Sequence, residues 1–237
     1  MRRAHLAGQW YPDDERACRA ALLSHAVDAV AEQGDIRGAV APHAGFRFSG
    51  DAAGAAYSAL AAKKTNPELV VVFGNHLGFR DSHTLFRGTG WETPLGPLAV
   101  DETATGQLAS AYDFETEPLD RPDNGSELQM PFARHFFPSA RLLMLGVAPR
   151  DDAVTIGELV GRATAGRDAV FVGSTDLTHY GPNFTFEPEG PSATRWVTEV
   201  NDRRFIDRVL AHDEGALVAE ALQRKNACCP GANITPF

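Results

Sequence analysis

The chain has 237 residues, of which 43% are hydrophobic and 22% are charged, values that are ordinary for a folded domain and argue against disorder. A formal net charge of -9 excludes the sequence-wide cationic field that would bind nucleic acid or an anionic membrane surface. The longest apolar strand-like run, residues 69–73, is far shorter than the ~20 residues of a bilayer span, and the first residues predict no signal peptide.

The number of cysteines indicates the cellular compartment. There are 3 cysteines, and an odd number this small does not form a disulfide framework. A reducing cytoplasm is therefore the expected location. Because no linker, repeat or low-complexity tract interrupts the chain, we expect a single domain over residues 1–237.

The first half of the chain alternates helical and strand patterns. Gly and Pro break residues 80–100 into short β-like pieces, which indicates a hairpin excursion. The predicted elements before it are a helix over 17–31 ended by Gly34, a strand over 37–41, a helix over 51–64 capped by residues 49–51, and a strand over 68–73.

The second half continues the alternation. Strands that alternate with helices predict an α/β fold with three αβα layers around a central, mostly parallel, mixed sheet. The predicted elements are helices over 101–111 with Asp101 as cap and over 127–136, a strand over 141–147, a helix over 153–165, a strand over 168–173, and helices over 196–211 and 214–223.

Three of the predicted strands are each followed by a histidine. His43 comes after residues 39–41, His76 after residues 70–73, and His179 after residues 169–173, with Asp176 on the way. The carboxyl ends of neighbouring parallel strands form the ligand crevice of an open α/β sheet. Since imidazole is the commonest metal ligand and the usual base near neutral pH, the pattern predicts one pocket with metal-binding or acid/base capacity.

Each of these residues also has a plainer interpretation. His43 is either a metal ligand or catalytic base, or it caps a strand end by a backbone hydrogen bond. His76 follows a Gly–Asn pair that is itself typical of a turn. Asp176 and His179, three residues apart, are a base with its orienting carboxylate, two ligands, or part of a cluster that caps a short helix.

Two further groups leave alternatives open. Cys228 and Cys229 are adjacent, and adjacent thiols seldom hold one ion together, so small buried residues near a turn are the plainer interpretation. Glu127 and Gln129 either face a pocket or only cap a helix.

Five ordered phrases resemble one family. They are AGQWYP at 7–12, PHAGFRFSG at 42–50, GNH at 74–76, ELQMPF at 127–132 and STDLTHY at 174–180. Their order and spacing resemble the Memo-like family, whose prokaryotic members are called AmmeMemoRadiSam system protein B. That family is similar in fold to the class III extradiol ring-cleavage dioxygenases of the LigB-like type.

The resemblance implies a non-haem metal site held by His43, His76 and Cys228, with cysteine where the dioxygenases have glutamate. His179 matches the catalytic acid/base, and Asp176 would fix its tautomer. A thiolate softens the site, so Fe(II) is the favoured ion, with Cu or Zn as alternatives. The residues implied to bind substrate are Trp10, Asn75, Asn124, Glu127 and Gln129.

The chain departs from the family phrases in three places. Asn124 and Gly125 stand where His–Ser is usual. Cys–Pro at 229–230 stands where the family phrase has Gly, and Ala–Asn at 232–233 stands in place of Pro–Ile. These changes leave open whether Cys228 or Cys229 is the third ligand. The resemblance also implies a further helix and strand beyond residue 237.

Two main hypotheses about function follow. The first is a metal-dependent oxidoreductase that acts with O₂ on a small substrate, for example an aromatic one. The second is a non-catalytic protein that uses the same pocket to bind a metal, a peptide or a partner. Metal-dependent hydrolysis is a weaker third. The expected partner is a small-molecule or peptide ligand, and a homo-oligomer is left open.

Overall fold

A six-stranded mixed sheet forms the centre of the fold. The computed structural model describes residues 1–28, 36–229 and 231. Within them the strands are β1 (Gly38–Ala41), β2 (Leu69–Gly74), β3 (Thr84–Leu85), β4 (Gly90–Trp91), β5 (Leu98–Ala99), β6 (Glu115–Thr116), β7 (Arg141–Gly146) and β8 (Ala169–Ser174). The main sheet has the order β1-β8-β2-β7-β3-β6, while β4 and β5 form a separate antiparallel pair.

The four long strands are parallel, and the short ones complete the sheet. β1 pairs with β8, β8 with β2 and β2 with β7, all in parallel. β3 then joins β7 in the antiparallel sense and carries β6 at its other side. The predicted hairpin excursion is therefore the β4–β5 pair, whereas β3, which lies in the same predicted region of residues 80–100, belongs to the main sheet.

Helices connect these strands. They are α1 (Glu15–His25), α2 (Phe46–Lys63), α3 (Glu102–Ala111), α4 (Asn124–Glu127), α5 (Gln129–Phe136), α6 (Ala153–Ala163), α7 (Thr194–Trp196), α8 (Asp202–Leu210) and α9 (Glu214–Arg224). A 3₁₀ turn covers Pro182–Phe184, and a π-helical turn, Val197–Asn201, joins α7 to α8.

Every residue of β2 is buried, because helices cover both faces of the sheet. Val70 and Val72 face one apolar cluster, and Val71 and Phe73 face the other, as the two-residue period of a strand requires. The first cluster includes Leu22 of α1, Tyr57 of α2 and Phe132 of α5; the second includes Leu108 of α3, Ile156 of α6, Phe205 of α8 and Leu217 of α9. This arrangement confirms the predicted three-layer α/β fold with a mostly parallel sheet.

Three of the differences between predicted and observed helices have a clear structural cause. α1 ends at His25, where Ala26 takes an extended conformation, and the residues 29–31 and 34 of the predicted ending lie outside the described residues. α2 begins at Phe46 rather than at residue 51, since Gly45 is its cap and the N–H of Phe46 donates to the Trp10 carbonyl at 3.0 Å. The helix predicted over 196–211 is interrupted by the π turn, a common local adjustment at functional sites.

None of the helices in the described ranges combines the length and the apolar character that crossing a membrane requires.

Candidate metal centre

Three loops leave the sheet side by side and bring the predicted residues together. β1 ends two residues before His43, β2 ends two before His76, and β8 ends two before Asp176. Because β8 lies between β1 and β2, these carboxyl ends are neighbours. Cys228 reaches the same place from the segment after α9, where its N–H donates to the Asp176 carbonyl at 3.0 Å.

Four side chains present donor atoms to one point. One atom each from His43, His76, Cys228 and Cys229 lies within 4.8 Å of the others. The Cys228 Sγ is 3.3 Å from His43 Nε2 and 3.7 Å from the Cys229 Sγ. The histidine rings meet edge to face with centroids 4.8 Å apart. The structure thus assembles the three predicted ligands and adds a second thiol.

His43 is completely buried, and its orientation is fixed from behind. Its Nδ1 lies 2.9 Å from the Ser174 Oγ, which also accepts a hydrogen bond from Gln129 Nε2 at 3.0 Å. Gln129 Nε2 donates in addition to the Pro42 carbonyl at 3.0 Å. With Nδ1 engaged in this way, Nε2 is the nitrogen that faces Cys228.

His76 is held by a carboxylate. Asp123 accepts from the His76 N–H at 3.1 Å, and its other oxygen lies 3.1 Å from His76 Nδ1. The hydrogen bond with Asp123, followed by that with Cys228, raises the pKa of His76 to about 10. The sequence reasoning missed Asp123; its position directly before Asn124, a pocket residue implied by the resemblance, is the signal that could have found it.

The turn before His76 is anchored by Asn75, which has a positive φ of 66°. Its Nδ2 donates to Thr84 Oγ1 at 2.9 Å and to Glu117 Oε2 at 3.0 Å, and its Oδ1 accepts from Ser126 Oγ. Asn tolerates the left-handed region better than other residues with a Cβ. Asn75 therefore sets the path that brings His76 to the cluster, and its predicted contact with substrate stays a prediction.

The pKa values of the two thiols are shifted in opposite directions. The neighbouring Cys229 thiol, with His43 and His76, holds the pKa of Cys228 far below its usual range against the opposing effect of burial. The Cys228 sulfur and burial raise the pKa of Cys229. The two sulfurs lie 3.7 Å apart, so each pKa depends on the other group.

Asp176 links the first histidine loop to His179. Its Oδ1 accepts from the N–H groups of His43 and Ala44 at 2.7 and 3.2 Å, and its Oδ2 lies 3.5 Å from His179 Nε2. Burial raises the pKa of Asp176, but the hydrogen bond to His179 and the nearby His43 outweigh it, so the pKa is lowered. Asp176 in turn raises the pKa of His179.

A small cavity opens beside this pair. The side chain of His179 is 42% exposed, and its ring stacks on Phe184 with centroids 4.6 Å apart. The cavity has a volume of about 200 Å³, and its lining includes Leu177, His179, Phe184, Phe186, Lys225 and Cys228. The predicted acid/base histidine and a predicted metal ligand thus face one space.

The remaining predicted pocket residues are Asn124, Glu127 and Trp10. Asn124 Nδ2 donates to the His43 carbonyl at 3.1 Å. Glu127 is fully buried, and its Oε1 accepts from the Leu6 N–H at 2.7 Å and from the Tyr11 hydroxyl at 3.0 Å. Trp10 is 38% exposed. For all of them, direct contact with a ligand stays a prediction.

The donor set suits a thiophilic transition metal. Two imidazoles whose outer nitrogens are engaged and one or two thiolates are typical ligands of Zn, Cu or Fe, while Mg and Ca prefer oxygen. The residues present therefore fit a metal ion, and their identity leaves the choice among these metals open.

Known proteins are similar to this sequence along almost its whole length. Residues 2–235 match the family model described as Memo-like protein. A MEMO1 family protein of Methanothermobacter thermautotrophicus is 31% identical over 232 residues, covering 90% of this chain and 78% of the relative. Those of Pyrococcus furiosus and Methanosarcina acetivorans are 31% and 32% identical, covering 98% of this chain and 84% and 82% of the relatives. The chain belongs to the Memo-like protein family.

Proposed function

We propose that this protein holds one transition-metal ion with His43, His76 and Cys228 and uses it in an oxidoreductase reaction on a small ligand. The observation that carries the proposal is the convergence of these three donors beside a cavity that also contains His179. The donors and the cavity are both needed, because a donor cluster without adjoining space only stores an ion.

The surrounding residues would hold the ligands in place. Ser174 and Asp123 engage the outer nitrogens of His43 and His76, so each ring would present Nε2. When bound, a redox-active ion such as Fe(II) would supply Lewis acidity and electron transfer to dioxygen. Support for Fe(II) comes from the resemblance of the family to extradiol dioxygenases; Cu and Zn remain the alternatives.

His179 would move the proton. Its ring lines the cavity, and a base at this position can accept a proton from a ligand hydroxyl and return it later. Asp176, 3.5 Å from Nε2, is the positioning residue that favours the protonated ring.

The cavity limits the size of the ligand. At about 200 Å³ it is smaller than the roughly 300–1,000 Å³ of sites for drug-sized molecules. Its aromatic lining by Phe184 and Phe186 suits a single ring. We therefore propose a small aromatic molecule bearing a hydroxyl group.

The test is anaerobic purification, loading with Fe(II) and elemental analysis, followed by O₂ uptake with a panel of catechol-like compounds. We expect about one ion per chain in the wild type and none in His43→Ala. Because His43 is buried, His76→Ala is measured in parallel, since His76 is 38% exposed and its loss disturbs less packing. His5→Ala, outside the cluster, is the matched control and should bind like the wild type.

Absence of stoichiometric metal in the wild type would refute the metal site itself. Metal binding without O₂ uptake across the panel would refute the oxidoreductase step. It would favour the second candidate function, binding of a metal or a peptide without turnover. One observation favours that candidate: the Cys229 sulfur lies in the cluster, where it could close the coordination sphere.

A further inference from the structure

We propose that Cys229 is a fourth donor to this metal ion, so that the centre of this chain consists of two imidazoles and two thiolates. The inference rests on the proposed function, which places an ion at His43, His76 and Cys228. It adds a ligand where the family phrase has glycine.

The measured separations suit a four-coordinate ion. Metal–sulfur distances of about 2.3 Å and metal–nitrogen distances of about 2.0–2.1 Å place tetrahedral S–S and S–N edges at about 3.8 and 3.6 Å. The Cys228 and Cys229 sulfurs are 3.7 Å apart, and the Cys228 sulfur is 3.3 Å from His43 Nε2. The largest separation among the four donors, 4.8 Å, exceeds such an edge by about 1 Å, which a small side-chain rotation would close.

The backbone explains how adjacent thiols reach one point. In an extended strand, consecutive side chains point to opposite faces. Here the Cys228 N–H donates to the Asp176 carbonyl at 3.0 Å, and the Cys229 N–H donates to Thr175 Oγ1 at 3.0 Å. Both residues are therefore anchored to the loop after β8, and both sulfurs lie close to the histidines.

The position of Cys229 is inside the protein rather than at its surface. The residue is only 2% exposed, while Cys228 is partly accessible from the cavity. An ion at this centre would then have Cys229 on the inner side and Cys228 on the side of the cavity. A ligand entering the cavity would approach the ion past Cys228 and His179.

The second thiolate strengthens the preference of the centre for thiophilic ions. A set of four protein donors with two soft sulfurs is typical of closed tetrahedral Zn(II) sites, and thiolates also favour Cu(I). We therefore expect this chain to bind Zn(II) or Cu(I) more tightly than Fe(II). An oxidoreductase reaction here would require one thiolate to leave the ion.

The test is X-ray absorption spectroscopy on the wild-type chain, loaded with Zn(II) under reducing conditions, to count its sulfur ligands. We expect two sulfurs and two nitrogens in the wild type, and one sulfur in Cys229→Ala. Zn(II) affinity of Cys229→Ala should fall by more than the roughly 10–100-fold that loss of an outer-shell partner costs. Cys18→Ala, which removes the thiol buried in α1, is the matched control and should keep both sulfurs and full affinity.

The outcomes separate the two proposals. One sulfur per zinc in the wild type, with stoichiometric binding, would overturn the fourth ligand and leave the three-ligand site intact. No binding by the wild type would overturn both. The wild-type sulfur count decides the question even if Cys229→Ala does not fold.

Discussion

Asp123 is the residue whose substitution tests the centre most sharply. A carboxylate only accepts hydrogen bonds, so Asp123 keeps the proton of a neutral His76 on Nδ1 and leaves the Nε2 lone pair for an ion. In Asp123→Asn, one of the two present bonds must be lost. The amide oxygen can accept from Nδ1 or from the backbone N–H of His76, and the donor that it does not face then meets the amide NH₂ group.

The size of the effect follows from these contacts. A hydrogen bond to a charged group contributes about 1.5–3 kcal/mol, which corresponds to about 10- to 150-fold in affinity. The same carboxylate is the largest cause of the raised pKa of His76, so its loss also weakens competition from the proton. We therefore expect the lower end of the range, about a tenfold loss of Zn(II) affinity.

The assay is a competition titration of Zn(II) against a chromophoric chelator, with thermal unfolding recorded on the same samples. Asp152→Asn is the matched control, because Asp152 holds His83 Nε2 at 3.0 Å in the same kind of pair outside the cluster. It should cost stability and leave the affinity unchanged. An affinity of Asp123→Asn within twofold of the wild type, or an equal loss in Asp152→Asn, would refute the reasoning.

Two other predictions concern the fold. Gly54→Ala would place a Cβ 2.0 Å from the His25 carbonyl oxygen and should lower the free energy of unfolding by about 1–3 kcal/mol. Gly106→Ala, where the new Cβ has nothing within 4 Å, should raise that free energy by about 0.5–1 kcal/mol. A urea midpoint of Gly54→Ala at or above the wild-type value would contradict this. The hydrogen bond from Arg167 holds the pKa of Asp101 below its usual value, so its stabilising contribution is complete above about pH 4 and is lost as the pH falls through the folded-state pKa. Asp101→Asn should show a shallower loss of stability as the pH falls below about 4, and parallel curves would count against the assignment.

The parts of the fold with strong local signals were predicted well. The apolar run of β2 and the Asp101 cap of α3, whose side chain accepts from the Ala104 N–H at 2.8 Å, are set by residues close in sequence. The start of α2 was missed because the cap is Gly45, whose backbone meets Trp10 across the fold. Contact with a distant segment leaves no local pattern.

The candidate site shows the same contrast between local signals and contacts with distant segments. His43 and His76 follow β1 and β2, two parallel strands on either side of β8, and their meeting could be inferred from where each strand ends. The inward orientation of Cys229 could not, because it depends on the hydrogen bond of its N–H to Thr175 Oγ1, 54 positions earlier. Asp123 was missed for a similar reason, since its partner His76 lies 47 residues away.

The distance along the chain between the proposed ligands affects when the centre can form. His43 and Cys228 are 185 residues apart, and at about 5–20 residues per second a ribosome needs roughly 10–40 s to travel between them. Once His76 has been made, and until Cys228 follows, a nascent chain offers both imidazoles and neither of the two sulfur donors. The ion would then be captured only after the sheet has been made, and its binding would fasten the late segment after α9 onto loops completed much earlier.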